Sequence, residues 1–407
     1  MRASKKHKII NDPVYGFISI DNDLIFDLIQ HPIFQRLRHI RQLGLADLVY
    51  PGANHTRFQH ALGAMHLMRR VLEGFRGKGI DISQREFVSA QIAILLHDIG
   101  HGPFSHTLEE TLLHNVKHES ISYQLMRKLD NDFNGELEMA LKMFRNGYPR
   151  KFFHQLVSSQ LDLDRLDYLR RDCFFTGVME GSIGVDRIIS MLTVHDDQVV
   201  VEEKGIYSIE HFLNARRLMY WQVYLHKTAV SAERLLVNII RRAQYIGGDL
   251  PCSDPLKTFL GHNYTIEDFK HASVLDAYAQ LDDNDVWGAI KLWKDSNDAI
   301  LSQLCIMLLE RNLFRIQIGG SVKQNLDKVR RGIAAKYKTL RNDTSYFLSI
   351  GTLTNEAYVV EGQPIKVLMR NGELLDIAQA SELPNIKAIS KIVKKDYLCW
   401  PKNVHLS

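Results

Sequence analysis

Apolar residues recur at helical spacing through most of the first half of the chain. Leu62, Met65, Met68 and Leu72 form a stripe on a segment that Thr56 and Gln59 could open as a capping box. A second such pair, Ser83 with Glu86, precedes Val88, Ile92, Leu95 and Leu96, and the helix they predict is stopped by Gly100, Gly102 and Pro103. From Ser159 to Asp172, Leu163, Leu166 and Leu169 fall on one side, whereas Asp164, Tyr168 and Asp172 recur at every fourth position on another. One face packs and the other presents polar groups.

Past residue 180 the period changes. QVVVEEKGIYSI at 198–209 predicts a short hairpin, and 210–246, with no internal Gly or Pro before Gly247, predicts one long helix. More helix is expected across 285–340. IKVLMR, the Asn371-Gly372 pair and ELLDIAQ predict a hairpin with a two-residue turn. The expected architecture is mainly α, a helical region at 1–245 followed by a mixed α+β lobe at 246–407 containing short hairpins.

Composition narrows the class without choosing a function. The 407 residues are 45% apolar and 24% charged with a net charge of +4, values of a soluble globular protein that do not call for a nucleic-acid partner. Cys173, Cys252, Cys305 and Cys399 are far apart and form no C-x-x-C, so a reducing, cytoplasmic setting is expected. The basic start (Arg2, Lys5, Lys6, Lys8) leads into IINDPVYG with no apolar run of signal length, and IAILL and CIMLL are too short to span a membrane.

The candidate chemistry lies in four separated residues. His60 falls in the first turn of one predicted helix, His97 and Asp98 at the end of the next, and Asp164 on the polar face of a third. Two imidazoles and two carboxylates can supply a divalent ion with nitrogen and oxygen ligands, and that mix suits Fe, Mn, Zn or Ni. Any one of these histidines alone is more often a hydrogen-bonded structural residue. The argument rests on the combination.

The strings around the four residues, RFQHALG, LLHDIGHGPFSH and LDLDRLDYLRRD, resemble the H…HD…D signature of the HD-domain metal-dependent phosphohydrolases. The resemblance is stronger to the deoxynucleoside triphosphate triphosphohydrolase branch. It runs from NDPVYGFI at Asn11 through HPIFQRLRHIRQLG and YPGANHTRFQHALG to YLHK near His226, covering roughly the first 240 residues, and is loose in the C-terminal third. It implies a metal on His60, His97, Asp98 and Asp164, with Mg a further option beside the nucleotide. His101, His106 and His118 would then surround the reacting phosphate, His106 as general acid, with Glu119 orienting a histidine. The competing reading makes His118-Glu119 an exposed loop pair.

The same resemblance assigns phosphate contacts to Arg57, Arg165, Arg216 and Lys227, which would otherwise read as solvated helix charges. Gln42, Leu43, Tyr168, Asp172 and Tyr224 would form a deoxyribose pocket too tight for a 2′-hydroxyl. Attack by water at the α-phosphorus would give a deoxynucleoside and tripolyphosphate, from a homo-oligomer, dimer or tetramer. Some family members are activated by a guanine nucleotide through an acidic residue just before the TPxFQRLR-like segment. Gln30 stands there in this chain, and a neutral amide does not offer the paired acceptors of a carboxylate. Asn11, Gln35 and Arg38 keep the rest of such a site or serve to pack the N-terminal helices. The rival functions are an HD-type phosphatase or phosphodiesterase acting on monophosphates or cyclic nucleotides, and a non-catalytic nucleotide sensor or nucleic-acid-binding protein. HDIGHG in place of HDxxED disfavours an alarmone hydrolase, and the lack of a GYP-type segment disfavours a cyclic-di-nucleotide hydrolase.

Overall fold

The computed structural model describes residues 8–113, 116–248, 250–320, 322–337, 343–355, 364–383 and 393–404. Arg2, Lys5 and Lys6 of the basic start lie outside them. The chain opens with the hairpin β1 (Lys8–Asp12) and β2 (Gly16–Ile20), then α1 (Asp23–Gln30). The catalytic motifs sit on α2 (Arg57–Gly77), α3 (Gln84–Leu95), α4 (His106–Leu113), α5 (His118–Asp132) and α6 (Leu163–Thr176).

Both expected capping pairs form. Gln59 Oε1 accepts from the Thr56 N–H at 2.9 Å, and Ser83 and Glu86 each accept the other's backbone N–H. Such caps contribute about 1 kcal/mol apiece. More binding comes from burial: Leu62, Met65, Met68 and Leu72 of α2 are buried in one core with Leu163, Leu166 and Leu169 of α6. The close approach of α2 to α6 needs Gly63, where a Cβ would stand 1.9 Å from an Asp167 carboxylate oxygen.

The second half departs from expectation in three places. The predicted 198–209 hairpin lies earlier, with β3 (Leu192–His195) antiparallel to β4 (Gln198–Glu202). Its turn is Asp196-Asp197, at φ 48° and 59°, a conformation short polar side chains tolerate. Residues 203–209 instead lead into α7 (Ile206–Met219). The long helix is also broken. After α7 comes one π-turn (Tyr220–Tyr224), closed by the Leu225 N–H on the Tyr220 carbonyl at 2.7 Å, and α8 (Lys227–Ile246) starts afresh behind an extended His226.

Helices α9 (Asp283–Trp293), α10 (Ala299–Leu309) and α11 (Val322–Lys336) fill the expected third helical region, interrupted by β5 (Arg315–Ile318). Strands β6 (Ser349–Asn355) and β9 (Val393–Trp400) complete the sheet β5-β9-β6. The C-terminal hairpin is β7 (Lys366–Leu368) with β8 (Leu374–Asp376). Its loop runs from Met369 to Glu373, and only Gly372 takes a positive φ, 86°, so the connection is longer than the two-residue turn expected. β7 pairs parallel to β4, which joins this hairpin to the sheet of the first half. The four cysteines are unpaired, and no helix among the described residues is long and apolar enough to cross a membrane.

Candidate active site

Three helix ends bring the four proposed ligands together. His60 Nε2 lies 3.1 Å from Asp164 Oδ1 and 3.7 Å from Asp98 Oδ2. His97 Nε2 lies 3.2 Å from Asp98 Oδ1 and 3.6 Å from Asp164 Oδ1. Both Nε2 atoms are buried without a hydrogen-bond partner, while the Nδ1 atoms are engaged: His60 Nδ1 with Asp167 Oδ2 at 2.8 Å, His97 Nδ1 with the Ile94 carbonyl at 2.6 Å. Fixing Nδ1 as the donor leaves Nε2 with a lone pair aimed at the carboxylates. Burial alone would neutralise those carboxylates, yet His97, His101 and Arg57 hold Asp98 well below the usual range, and His60 and His97 do the same for Asp164. The pull is mutual, raising His97 above its ordinary value and His60 to about 10 against the effect of burial, so a cation bound at Nε2 would displace a proton. One ring nitrogen each of His60 and His97 and one Asp164 oxygen lie within 4.8 Å of one another, a donor set that fits a divalent cation, with Asp98 beside them and shared with Arg57.

Asp167 was not among the sequence candidates. It lies one turn beyond Asp164 on α6 and is also bound by Arg171, whose Nε donates to the same Oδ2 at 2.9 Å and whose Nη2 donates to Oδ1 at 3.0 Å, and Arg171 in turn meets Asp12 at 2.8 Å. A carboxylate behind a ligating imidazole fixes its ring and raises its basicity, so Asp167→Asn should weaken metal binding by about 10- to 100-fold. Metal titration of the purified variant checks this, and unchanged affinity counts against the role.

A second histidine group adjoins the first. His101, His106 and His118 bring one ring nitrogen each within 4.8 Å of one another, and His101 Nε2 is 3.3 Å from Asp98 Oδ1. The rings of His101 and His118 stack at 3.8 Å. Glu109, three residues after His106 on α4, reaches His106 Nδ1 at 3.1 Å and His118 Nδ1 at 3.2 Å, and accepts the His118 N–H at 2.9 Å. Burial would raise the Glu109 carboxyl, but hydrogen bonds from His106 and His118 hold it well below its ordinary value. The orienting role expected of Glu119 therefore belongs by geometry to Glu109. Glu119 is exposed and stands 3.7 Å from His118 Nε2, beyond hydrogen-bond reach.

Asp98 and Asp164 of the first group and all three histidines of the second line a cavity of about 470 Å³, with His60 and His97 outside the lining. Of the expected contacts, Gln42, Leu43, Arg57, Tyr168, Asp172 and Tyr224 line it with Asp98, Asp164 and the three histidines. Arg57 is fixed by Asp98 at 2.5 Å and Ser105 Oγ at 2.9 Å. Asp172 accepts from the Tyr224 hydroxyl at 2.8 Å and pairs with His55 Nε2 at 2.7 Å, and the π-turn delivers Tyr224 to this position. Arg165, Arg216 and Lys227 are not in the lining. Arg165 is held by Asp162, Arg216 by Gln160 at 3.1 Å, and Lys227 is exposed at the start of α8. Glu233 and Arg234, unforeseen from the sequence, lie in the wall. Burial pushes the Glu233 carboxyl up to about 7.

The proposed regulatory residues lie outside the lining. Gln35 Nε2 donates to the Ile29 carbonyl at 2.6 Å at the end of α1, and its Oε1 accepts from Arg38 at 2.8 Å. Arg38 also covers the Phe58 ring at 3.6 Å. This is the packing and capping alternative for those two. Gln30 ends α1, exposed, and Asn11 is exposed on β1 opposite Phe17.

Comparison with known proteins agrees with this centre. The HD domain family matches residues 57–171 and the HD associated region residues 183–247. The uncharacterized protein YwfO of Bacillus subtilis is 33% identical over 98% of this chain and 93% of its own length. A crystal structure of a phosphohydrolase from Bacteroides thetaiotaomicron superposes with a TM-score of 0.91 at 45% identity, covering 98% of this chain and 100% of that one. The chain belongs to the HD-domain phosphohydrolase superfamily. Another relative is the deoxynucleoside triphosphate triphosphohydrolase SAMHD1 homolog of Dictyostelium discoideum, 29% identical over 63% of this chain and 52% of the relative. The alignment thus spans about half of that protein.

Proposed function

We propose that this protein hydrolyses deoxynucleoside triphosphates at the α-phosphorus to a deoxynucleoside and tripolyphosphate. The supporting observation is that the His60/His97/Asp98/Asp164 cage and the His101/His106/His118 group meet at Asp98 on one wall of a cavity that also presents Leu43, Tyr168 and Tyr224. His60, His97, Asp98 and Asp164 would hold a divalent ion, whose chemistry is Lewis-acid stabilisation of phosphoryl charge and activation of water.

The chain's own residues supply the rest. Arg57, clamped by Asp98 and Ser105, contributes a fixed positive charge beside the phosphates. His106 donates a proton to the departing 5′-oxygen from Nε2, while Glu109 holds its Nδ1–H. Gln42, Leu43 and the Tyr224–Asp172 pair close around the sugar and crowd a 2′-hydroxyl.

The test is product identification from metal-loaded protein incubated with each dNTP and rNTP, singly and in mixtures that could include an activator. Deoxynucleoside and tripolyphosphate in equal amounts are expected, with ribonucleotides cleaved more slowly. Orthophosphate as the sole phosphorus product, released from monophosphates, overturns the reading.

A further inference from the structure

Residues far beyond the catalytic motifs reach back to the loop that carries the histidines. Asp283, buried at the first position of α9, accepts the Phe104 N–H on Oδ1 at 2.8 Å and the Arg41 N–H on Oδ2 at 2.9 Å. Phe104 stands two residues before His106, and Arg41 directly precedes Gln42. One carboxylate thereby joins the proton-donor loop to the proposed sugar wall, across sequence separations of 179 and 242 residues.

The loop has reason to need an external hold. Phe104 and Ser105 are consecutive non-glycine residues with φ of 52° and 47°, a left-handed conformation disfavoured for both. Around them the same C-terminal segment makes further contacts. The Trp287 ring meets Phe104 edge-on at 5.8 Å, and the Tyr278 hydroxyl donates to the Gly100 carbonyl at 2.8 Å. Arg36 bridges the Ile99 carbonyl at 2.6 Å and the Leu281 carbonyl at 2.8 Å. At Gly102 a Cβ would stand 2.8 Å from the Tyr278 hydroxyl, so the segment and the loop are in close contact.

We propose that Asp283 is a positioning residue that sets the distance between His106 and the Gln42–Leu43 wall, with Tyr278 bracing the same loop upstream. This rests on reading the cavity as a nucleoside triphosphate site. A carboxylate suits the task because both of its oxygens accept, whereas an amide would turn an NH2 group toward one of the two backbone donors. Burial raises the Asp283 carboxyl to about 6, so it is mostly ionised at neutral pH. The 246–407 region thereby contributes to the site without lining it at this point.

Asp283→Asn and Tyr278→Phe, each in the full metal-loaded chain, test the proposal. In Asp283→Asn the metal content stays at the wild-type level. Its kcat on a dNTP falls by about 10- to 100-fold, as misplacement of catalytic groups does. The ratio of kcat/KM for a deoxy- over the matching ribonucleotide also narrows, because the sugar wall moves. Amide hydrogen exchange at Arg41 and Phe104 accelerates. Tyr278→Phe shifts kcat and Phe104 exchange in the same direction by less. An unchanged deoxy-to-ribo ratio in Asp283→Asn, whether activity is retained or falls in step with the folded, metal-loaded fraction, overturns the proposal. Should Asp283→Asn not fold, Tyr278→Phe decides, and wild-type kcat with wild-type loop exchange overturns it. If the wild-type protein cleaves no nucleoside triphosphate, the substrate reading fails on its own. Exchange then decides the brace: acceleration at both amides upholds it, and none overturns it.

Discussion

Asp164→Ala should lose bound divalent metal and turnover together. Asp164 Oδ1 stands between the two free imidazole nitrogens, 3.1 Å from His60 Nε2 and 3.6 Å from His97 Nε2, and is one of only two carboxylates in the cage. Without it the remaining side chains offer one anionic ligand, and Asp98 is already shared with Arg57 and His101. Lewis-acid stabilisation contributes several kcal/mol to a phosphoryl transition state, so kcat should drop by about a thousandfold or more. The fold should survive, because α6 is anchored by buried Leu163, Leu166 and Leu169 and capped by Asp162. Elemental analysis after gel filtration, beside a turnover assay, makes the measurement. A variant that keeps metal and full activity refutes the four-ligand assignment.

His106→Ala should separate catalysis from metal binding. The ring contributes nothing to the His60/His97/Asp98/Asp164 cage and is 71% exposed, so metal content and melting temperature should stay at wild-type values. Loss of a general acid typically lowers kcat by about 10²- to 10⁴-fold. The deficit should shrink for a substrate whose leaving group departs without protonation, such as a nitrophenyl phosphoester. An equal deficit on both leaving groups would assign His106 to phosphate binding rather than proton transfer. Glu109→Gln keeps one acceptor oxygen for the imidazoles and should fall between the wild type and His106→Ala.

The candidate metal ligands were readable because they sit on regular elements. A capping pair places His60 in a first turn, a glycine-rich stop places His97 and Asp98 at an end, and a period of four places Asp164 with Tyr168 and Asp172. The partner of the His101/His106/His118 group was harder to read. Glu119 adjoins His118 in sequence, but adjacent helical residues point about 100° apart, whereas Glu109 lies one turn from His106 and faces it. The signal was the H-x-x-E spacing from His106.

Formal charge also misled in the choice of cations. Arg165 is paired with Asp162, the N-cap of its own helix three residues earlier, and Arg216 with Gln160, a partner that tertiary packing supplies. The break after Met219 contains no Gly or Pro, and its π-turn depends on one extra residue in the winding, which periodicity over a short window does not resolve. Asp283 carries no local signal at all. It looks like one of three acids opening a helix, and its two backbone partners lie more than 170 residues earlier.

The ion chain from Asp12 through Arg171 and Asp167 to His60 bears on how much polypeptide makes a working unit. Arg171 is fully buried, and its two acidic partners come from the opening hairpin and from α6. A fragment trimmed to the HD domain match at 57–171 would leave that guanidinium short of one counter-charge in a dry interior, a defect that costs about 3–5 kcal/mol. At the other end it would lack the Asp283 clamp on the histidine loop. The smallest piece expected to keep both supports begins ahead of Asp12 and extends past Trp287, more than twice the span that the family match marks.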